Sequence, residues 1–181
     1  MKRKAEGERI ERRTLETIRG GEVAIPDAAL LTHLQFRRYA GCPMCNLHLQ
    51  SFIKRHSELV QHGIQEVVVF HSSKQALLNE HADAPFALIP DPKRTLYKEF
   101  GVEVSWGAVL HPRVWITGVS GLLRHGLSIP ERRESTLGLP ADFLIGADGR
   151  VLACKYGMHA SDHWEVDDVL NLASKHTNEP V

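Results

Sequence analysis

What this chain has little of narrows its function before any motif is weighed. It holds three cysteines in 181 residues, too few for the disulfide framework that staples small secreted domains. Charge of one sign is not in excess either: 22 lysines and arginines face 22 aspartates and glutamates. The sequence pI lies near 7.2, so a global electrostatic case for nucleic acid or an anionic membrane surface fails. Long hydrophobic runs are missing. VVVF at 67–70 falls far short of the roughly 20 apolar residues that a membrane helix needs. The opening MKRKAEGERIERR is charged but leads into no apolar segment, so no secretory signal is expected. Gly20-Gly21 does not lead into a helix, which excludes a glycine-rich phosphate loop, and no serine sits in a nucleophile elbow. Repeats and low-complexity tracts are absent. The 43% hydrophobic share is enough for a core and rules out wholesale disorder. These exclusions leave a single-domain protein of a reducing, cytoplasmic compartment, with no nucleic-acid or membrane partner.

The chain opens with a charged arm, residues 1–13, carrying six basic and three acidic side chains. It reads as solvated and frayed, or as a helical extension on the domain. From residue 14 to 181 the pattern is that of one domain. TLETIR and EVAIP flank Gly20-Gly21 as a small hairpin. Leu30 to Tyr39 alternates as a strand with Leu34 and Phe36 on one side. After the Cys42–Cys45 segment, Leu49, Phe52, Ile53, Leu59 and Val60 mark one long helix that ends at His62-Gly63. IQEVVVF is a strand covered on both faces. Ser72-x-x-Gln75 has capping-box spacing for a short helix. Ala87-Leu88-Ile89 is another buried strand, and Asp91-Pro92 supplies an N-cap and a first-turn proline for KRTLYKEF. Residues 102–138 read as an insert without a clear pattern. Pro140 then opens two alternating runs joined by Asp148-Gly149, a hairpin signal. Asp162-x-x-Glu165 is placed to cap a last helix carrying Trp164, Val169, Leu170 and Ala173. Alternating strands and helices predict an α/β fold with parallel crossovers first and an antiparallel hairpin last, hence a mixed central sheet flanked by helices.

Cys42-Pro43-Met44-Cys45 lies between a strand and a long helix. Pro43, with fixed φ and no amide hydrogen, belongs at the first helical position. Cys42 is then the N-cap and Cys45 lies one turn in. An N-cap thiolate can accept the amide hydrogens of Met44 and Cys45 and is favoured by the helix dipole. Both effects lower a thiol pKa from about 8.5 toward roughly 3.5–7.5, so Cys42 is expected to be the nucleophile and Cys45 its resolving partner. Such a pair can reduce a peroxide through a sulfenic acid or exchange with a disulfide, and the spacing does not choose between them. Two other uses of these residues exist: inert core thiols, or a zinc half-site Cys42-x-x-Cys45-x-x-His48 that lacks a complete ligand set. Cys154, in an alternating strand, reads as a core residue.

Arg37 and Arg38 close the preceding strand, and one of the two should face the thiols with its charge; the alternative is that both are solvated at the strand end. Of eleven histidines, His33, His56, His62, His81, His111 and His125 form no ligand spacing and read as surface or cap residues. His71, at the carboxyl end of VVVF, is the histidine to seek near the thiols. His159-Ala160-Ser161-Asp162-His163-Trp164 could form a proton relay or metal patch, but Ser161 and Asp162 are more simply read as helix caps.

The succession QFRRYAGCPMCNLHLQSF, VVVFHSS, IPDPKRTLYKEFGV and LPADFLIGADGRV resembles the peroxiredoxin-like branch of the alkyl hydroperoxide reductase/thiol-specific antioxidant family, in the thioredoxin superfamily. The resemblance covers roughly residues 14–175. It implies a thioredoxin-like fold and a dithiol–disulfide cycle at Cys42 and Cys45 without a bound cofactor. The substrate would be a peroxide or disulfide, with a thioredoxin-like protein or small thiol as reductant and a homodimer as assembly. It also places Pro140 where the thioredoxin cis-proline faces the thiols. Two positions depart from the family pattern. Tyr39 stands three residues before Cys42, where the family has Thr or Ser before its reactive cysteine, and Pro140-Ala141 replaces a late arginine.

Overall fold

The computed structural model describes residues 2–102 and 138–177. A hairpin comes first, β1 (Arg13–Glu16) and β2 (Glu22–Ile25), and forms a two-stranded sheet of its own. The main sheet takes β3 (Leu31–Arg37), β4 (Ile64–Phe70), β5 (Ala87–Pro90), β6 (Ala141–Ile145) and β7 (Val151–Tyr156). Its order is β5-β4-β3-β6-β7. Strands β3, β4 and β5 are parallel and β6 and β7 antiparallel, as the pattern of crossovers followed by a closing hairpin requires. The helices are α1 (Pro43–Lys54), α2 (His56–Gln61), α3 (Lys74–His81), α4 (Thr95–Glu99) and α5 (Val166–Thr177). The unpatterned insert expected at 102–138 lies almost wholly outside the described residues.

Apolar cores cover both faces of the sheet. Strand β4 feeds both by simple alternation: Val68 and Phe70 join Leu49, Phe52, Leu77 and Val169 beneath the helices. Val67 and Val69 join Leu34, Phe36, Phe100 and Phe143 on the other side. On β3 the first face is polar instead. His33, Gln35 and Arg37 point under α1, and all three are buried. The opposite residues, Leu34 and Phe36, are ordinary core.

Several boundaries differ from the sequence pattern. The long helix breaks at Arg55, whose guanidinium forks Glu58 (2.7 and 2.8 Å) and reaches Asp167 of α5 (2.7 Å). Helix α3 is capped by Ser73, which accepts from the Ala76 amide, not by Ser72. Helix α4 begins at Thr95, although Asp91 still accepts its first amides, from Thr95 and Leu96 at 2.8 Å. Asp162 and Ser161 do not cap the last helix: the Asp162 carboxylate pairs with Lys155 (2.7 Å) and accepts from the Met158 amide (2.9 Å), and the Ser161 hydroxyl faces His159 (3.2 Å). Helix α5 starts beyond them, at Val166.

The N-terminal segment is neither frayed nor helical. Gly7, Glu8 and Ile10 exchange backbone hydrogen bonds of 2.8 Å with Gly149 and Val151 along the free margin of β7. Ile10 is buried in the core. The segment passes so close that a Cβ on Gly101 would meet the Lys2 carbonyl at 2.6 Å, and one on Gly149 the Ile10 carbonyl at 2.6 Å. Both glycines have positive φ, 68° and 87°, so both reasons favour glycine there. The Ile10→Ala variant should therefore lose about 2 kcal/mol or more in urea denaturation; a solvated arm would give no measurable change.

Candidate active site

The strand-to-helix junction is held from three directions. Beyond β3, the Ala40 amide donates to the Ser72 hydroxyl (2.8 Å) and the Ala40 carbonyl lies 3.1 Å from His81 Nε2. The His71 amide donates to the Arg38 carbonyl (3.3 Å). The Tyr97 hydroxyl lies between the Arg37 and Val69 carbonyls, clamping the ends of β3 and β4 together. Pro43 takes the first helical position of α1 as its chemistry requires, with Cys42 extended before it.

This junction brings the two sulfurs to 2.8 Å. Cys42 and Cys45 are free and buried, 1% and 4% exposed, in a small apolar pocket with Tyr39 against Met44. Tyr39 shields the pair, and its carbonyl receives the Cys42 amide hydrogen at 3.1 Å. The Arg38 guanidinium lies 5.7 Å from the Tyr39 ring centroid.

The two thiols ionise as a coupled pair, and burial acts on both. The Cys42 side chain makes no full N-cap hydrogen bond, although the Cys45 amide and the Arg38 charge still favour its anion. Burial pushes its thiol up, and the hydrogen bond with Cys45 and the charge of Cys45 push it further. Cys45 is also pushed up by burial. Its hydrogen bond with Cys42, the Arg38 charge and amide, and the Arg37 charge outweigh that and bring it down to about 6. The dithiol thus loses a first proton readily and keeps the second, which the two sulfurs share across 2.8 Å.

Neither arginine is solvated. Arg38 is 4% exposed and acts on the thiols; Arg37 is 1% exposed and lies under α1, donating to Asp142 Oδ1 at 2.6 Å. Asp142 also accepts from the Trp164 amide (3.2 Å), linking β6 to the start of α5. His33 completes this buried network and is no surface residue: its Nδ1 lies 2.7 Å from Glu66, which also accepts from Gln35 (2.6 Å). Burial alone would lower the imidazole, but the Glu66 and Asp142 carboxylates prevail and raise His33 to about 9. His81, expected at the surface, is likewise buried. Asp142, Glu66 and Tyr97 were assigned no role from the sequence, and Ser72 was read only as a helix cap. For Asp142 and Glu66 the available signal was position, since both stand opposite β3 in register.

The other candidates are placed as follows. His71 is buried at the end of β4, its ring 5.7 Å from Tyr97. Pro140 immediately precedes β6 and accepts from the Gly157 amide at 2.9 Å. The cis proline among the described residues is Pro26, and the bond before Pro140 is trans. Cys154 is partly buried on β7, with its sulfur 3.7 Å from the Lys4 carbonyl.

Comparison with known proteins adds the family. The AhpC/TSA antioxidant enzyme family matches residues 49–159. The chain belongs to that family. It is an enzyme of the peroxiredoxin type, a thiol-dependent oxidoreductase. The matched region begins just after Cys45, so the thiols themselves stand on this chain's geometry. No curated protein matches the sequence. Among solved structures, Mycobacterium bovis AhpC is similar over 100% of this chain and 97% of its own, with TM-score 0.68 and 14% identity. Xanthomonas campestris peroxiredoxin Q aligns over 92% of each chain, with TM-score 0.66 and 18% identity. Peroxidoxin BcpB from Mycobacterium tuberculosis covers 94% of this chain and 96% of its own, with TM-score 0.66 and 14% identity. At such identities the likeness is one of fold. It matches the mixed, thioredoxin-like sheet described above. Among the described residues, no helix is long and apolar enough to cross a membrane.

Two predictions follow from the electrostatics. The rate of thiol alkylation should rise through about pH 6 and then level off, with mass spectrometry finding the first adduct on Cys45; a first adduct on Cys42 with an inflection near 9 would contradict the charge placement. His33 is raised from 6.5 to about 9, so its contribution to stability is full below pH 6.5 and is lost as pH rises through 9. That contribution amounts to about 3 kcal/mol. The stability difference between the native chain and His33→Gln should shrink over this window in denaturant titrations. Comparing the two chains cancels the opposing contribution of Cys45.

Proposed function

We propose that the enzyme reduces hydroperoxides through a dithiol–disulfide cycle in which Cys45 attacks and Cys42 resolves. The observation that carries this is the pair of buried sulfurs 2.8 Å apart with the Arg38 amide and charge at Cys45. The Cys45 thiolate attacks the terminal oxygen of the peroxide. The O–O bond breaks, an S–OH is formed and an alkoxide leaves. The proton retained on Cys42 neutralises that alkoxide as an alcohol, which leaves Cys42 as a thiolate. Cys42 then attacks the sulfenic sulfur, expels hydroxide, and closes the disulfide. The sulfurs need only approach from 2.8 Å to about 2.0 Å. A thioredoxin-like protein or a small thiol returns the pair by exchange, taking the disulfide's oxidation onto itself. No bound cofactor enters these steps.

The raised Cys42 thiol is thus an asset: it stores the proton that the leaving group needs. With Cys45 as the attacking sulfur, Cys42 itself stands three residues before it, at the family's hydroxyl position. The supporting residues are Arg38, which stabilises the thiolate, Arg37 beneath it, Tyr39, which shields it, Pro43, which sets the helix start, and His71, which braces the Arg38 loop. Pro140 heads the adjacent strand. A cytoplasmic, reducing setting and a homodimer are the expected context.

In a coupled peroxide assay, Cys45→Ser should abolish turnover. Cys42→Ser should leave a sulfenic acid on Cys45 that dimedone traps. Full activity of Cys45→Ser would refute the scheme. Peroxide consumption that is slow in the native chain, alongside rapid reduction of a model disulfide, would make the substrate a disulfide instead.

A further inference from the structure

The dithiol leaves unexplained a second cluster, one turn along α1 from Cys45. His48 is 6% exposed, and its Nε2 lies 2.9 Å from the Trp164 carbonyl. That contact fixes the proton on Nε2 and leaves Nδ1 with a free lone pair, yet Nδ1 has no hydrogen-bond partner. His163 stacks on it with ring centroids 3.5 Å apart, and its own Nδ1 is also buried and unpartnered, 3.6 Å from the Glu165 carboxylate. Two buried, unsatisfied ring nitrogens side by side call for a common partner. His48, His163 and Glu165 each offer one ligand atom within 4.8 Å of the others.

We propose that His48, His163 and Glu165 form a binding site for a divalent transition metal of borderline softness, with zinc as the natural occupant. Two imidazoles and one carboxylate are a donor set suited to zinc with a fourth position left open. The nearby cations are already matched, Arg37 by Asp142 and Lys155 by Asp162, so Glu165 brings the uncompensated negative charge. The Trp164 carbonyl orients His48 as an outer partner typically orients a metal-bound histidine. Ligand atoms around a tetrahedral ion sit roughly 3.3 Å apart, so the cluster must close slightly. Glu165, 62% exposed, is free to swing and supplies both that closure and the entry path. The cysteine–histidine zinc spacing of the sequence is thereby resolved differently: His48 turns to His163, not to the thiols.

The test is titration of the chelator-stripped full chain with zinc by calorimetry and with cobalt by absorption. One ion per chain is expected, in the native protein and equally in Cys42→Ser/Cys45→Ser. The cobalt spectrum should show nitrogen–oxygen coordination and no sulfur charge transfer. Glu165→Gln, on an exposed side chain that cannot unfold the protein, should weaken binding at least about tenfold, and His163→Ala should weaken it further. Absence of binding, binding untouched by these variants, or binding lost with the cysteines would overturn the site.

Discussion

One proton shared between two buried sulfurs is the interaction on which the rest of this site depends. Placed in an apolar pocket, neither Cys42 nor Cys45 could ionise easily alone, because burial raises both. Contact between them changes the outcome: ionising one converts the other into its hydrogen-bond donor. The Arg38 guanidinium favours an anion on either sulfur, and its amide adds to that at Cys45. The braces around Ala40, from Ser72 and His81, fix the loop that sets this geometry. The β3–β4 clamp by Tyr97 does the same for the strand ends.

The charge that favours a thiolate is held in place from beneath. Arg37 lies buried under α1, tied to Asp142, and Asp142 is tied to the first residues before α5. A buried arginine without that carboxylate would be strongly unfavourable. The ionic pair therefore couples the β3–β6 interface to the helix that carries the thiols and to the segment that carries His163. In this way a buried network positions two clusters of reactive side chains, at successive turns of α1.

Much of the architecture was legible in the sequence because it rests on local rules. Pro43 marks a helix start, Gly20-Gly21 and Asp148-Gly149 mark turns, and VVVF marks a strand buried on both faces. The placement of the two cysteines followed from these alone. What was hidden depended on partners far along the chain. His33, Gln35 and Arg37 alternate with Leu34 and Phe36 like the wet side of an edge strand. They are in fact buried against Glu66 and Asp142, 33 and 105 positions away for His33 and Arg37. The coupling of the two thiols was hidden for a similar reason, since the N-cap rule fixes backbone but not which way a sulfur turns. Asp162 fitted a capping spacing and was drawn off by Lys155 across β7.

The opening segment has a consequence for how copies of this protein meet. β7 ends the sheet order, and an uncovered end strand offers a row of unsatisfied amides and carbonyls to any passing extended chain. Gly7 and Glu8 take the first place in that row, at Val151, and Ile10 takes the Gly149 carbonyl of the turn before it. The opening segment thus acts as a latch at the entrance to that border. Clipping it would bare the Val151 amide and carbonyl to any extended chain that arrives there.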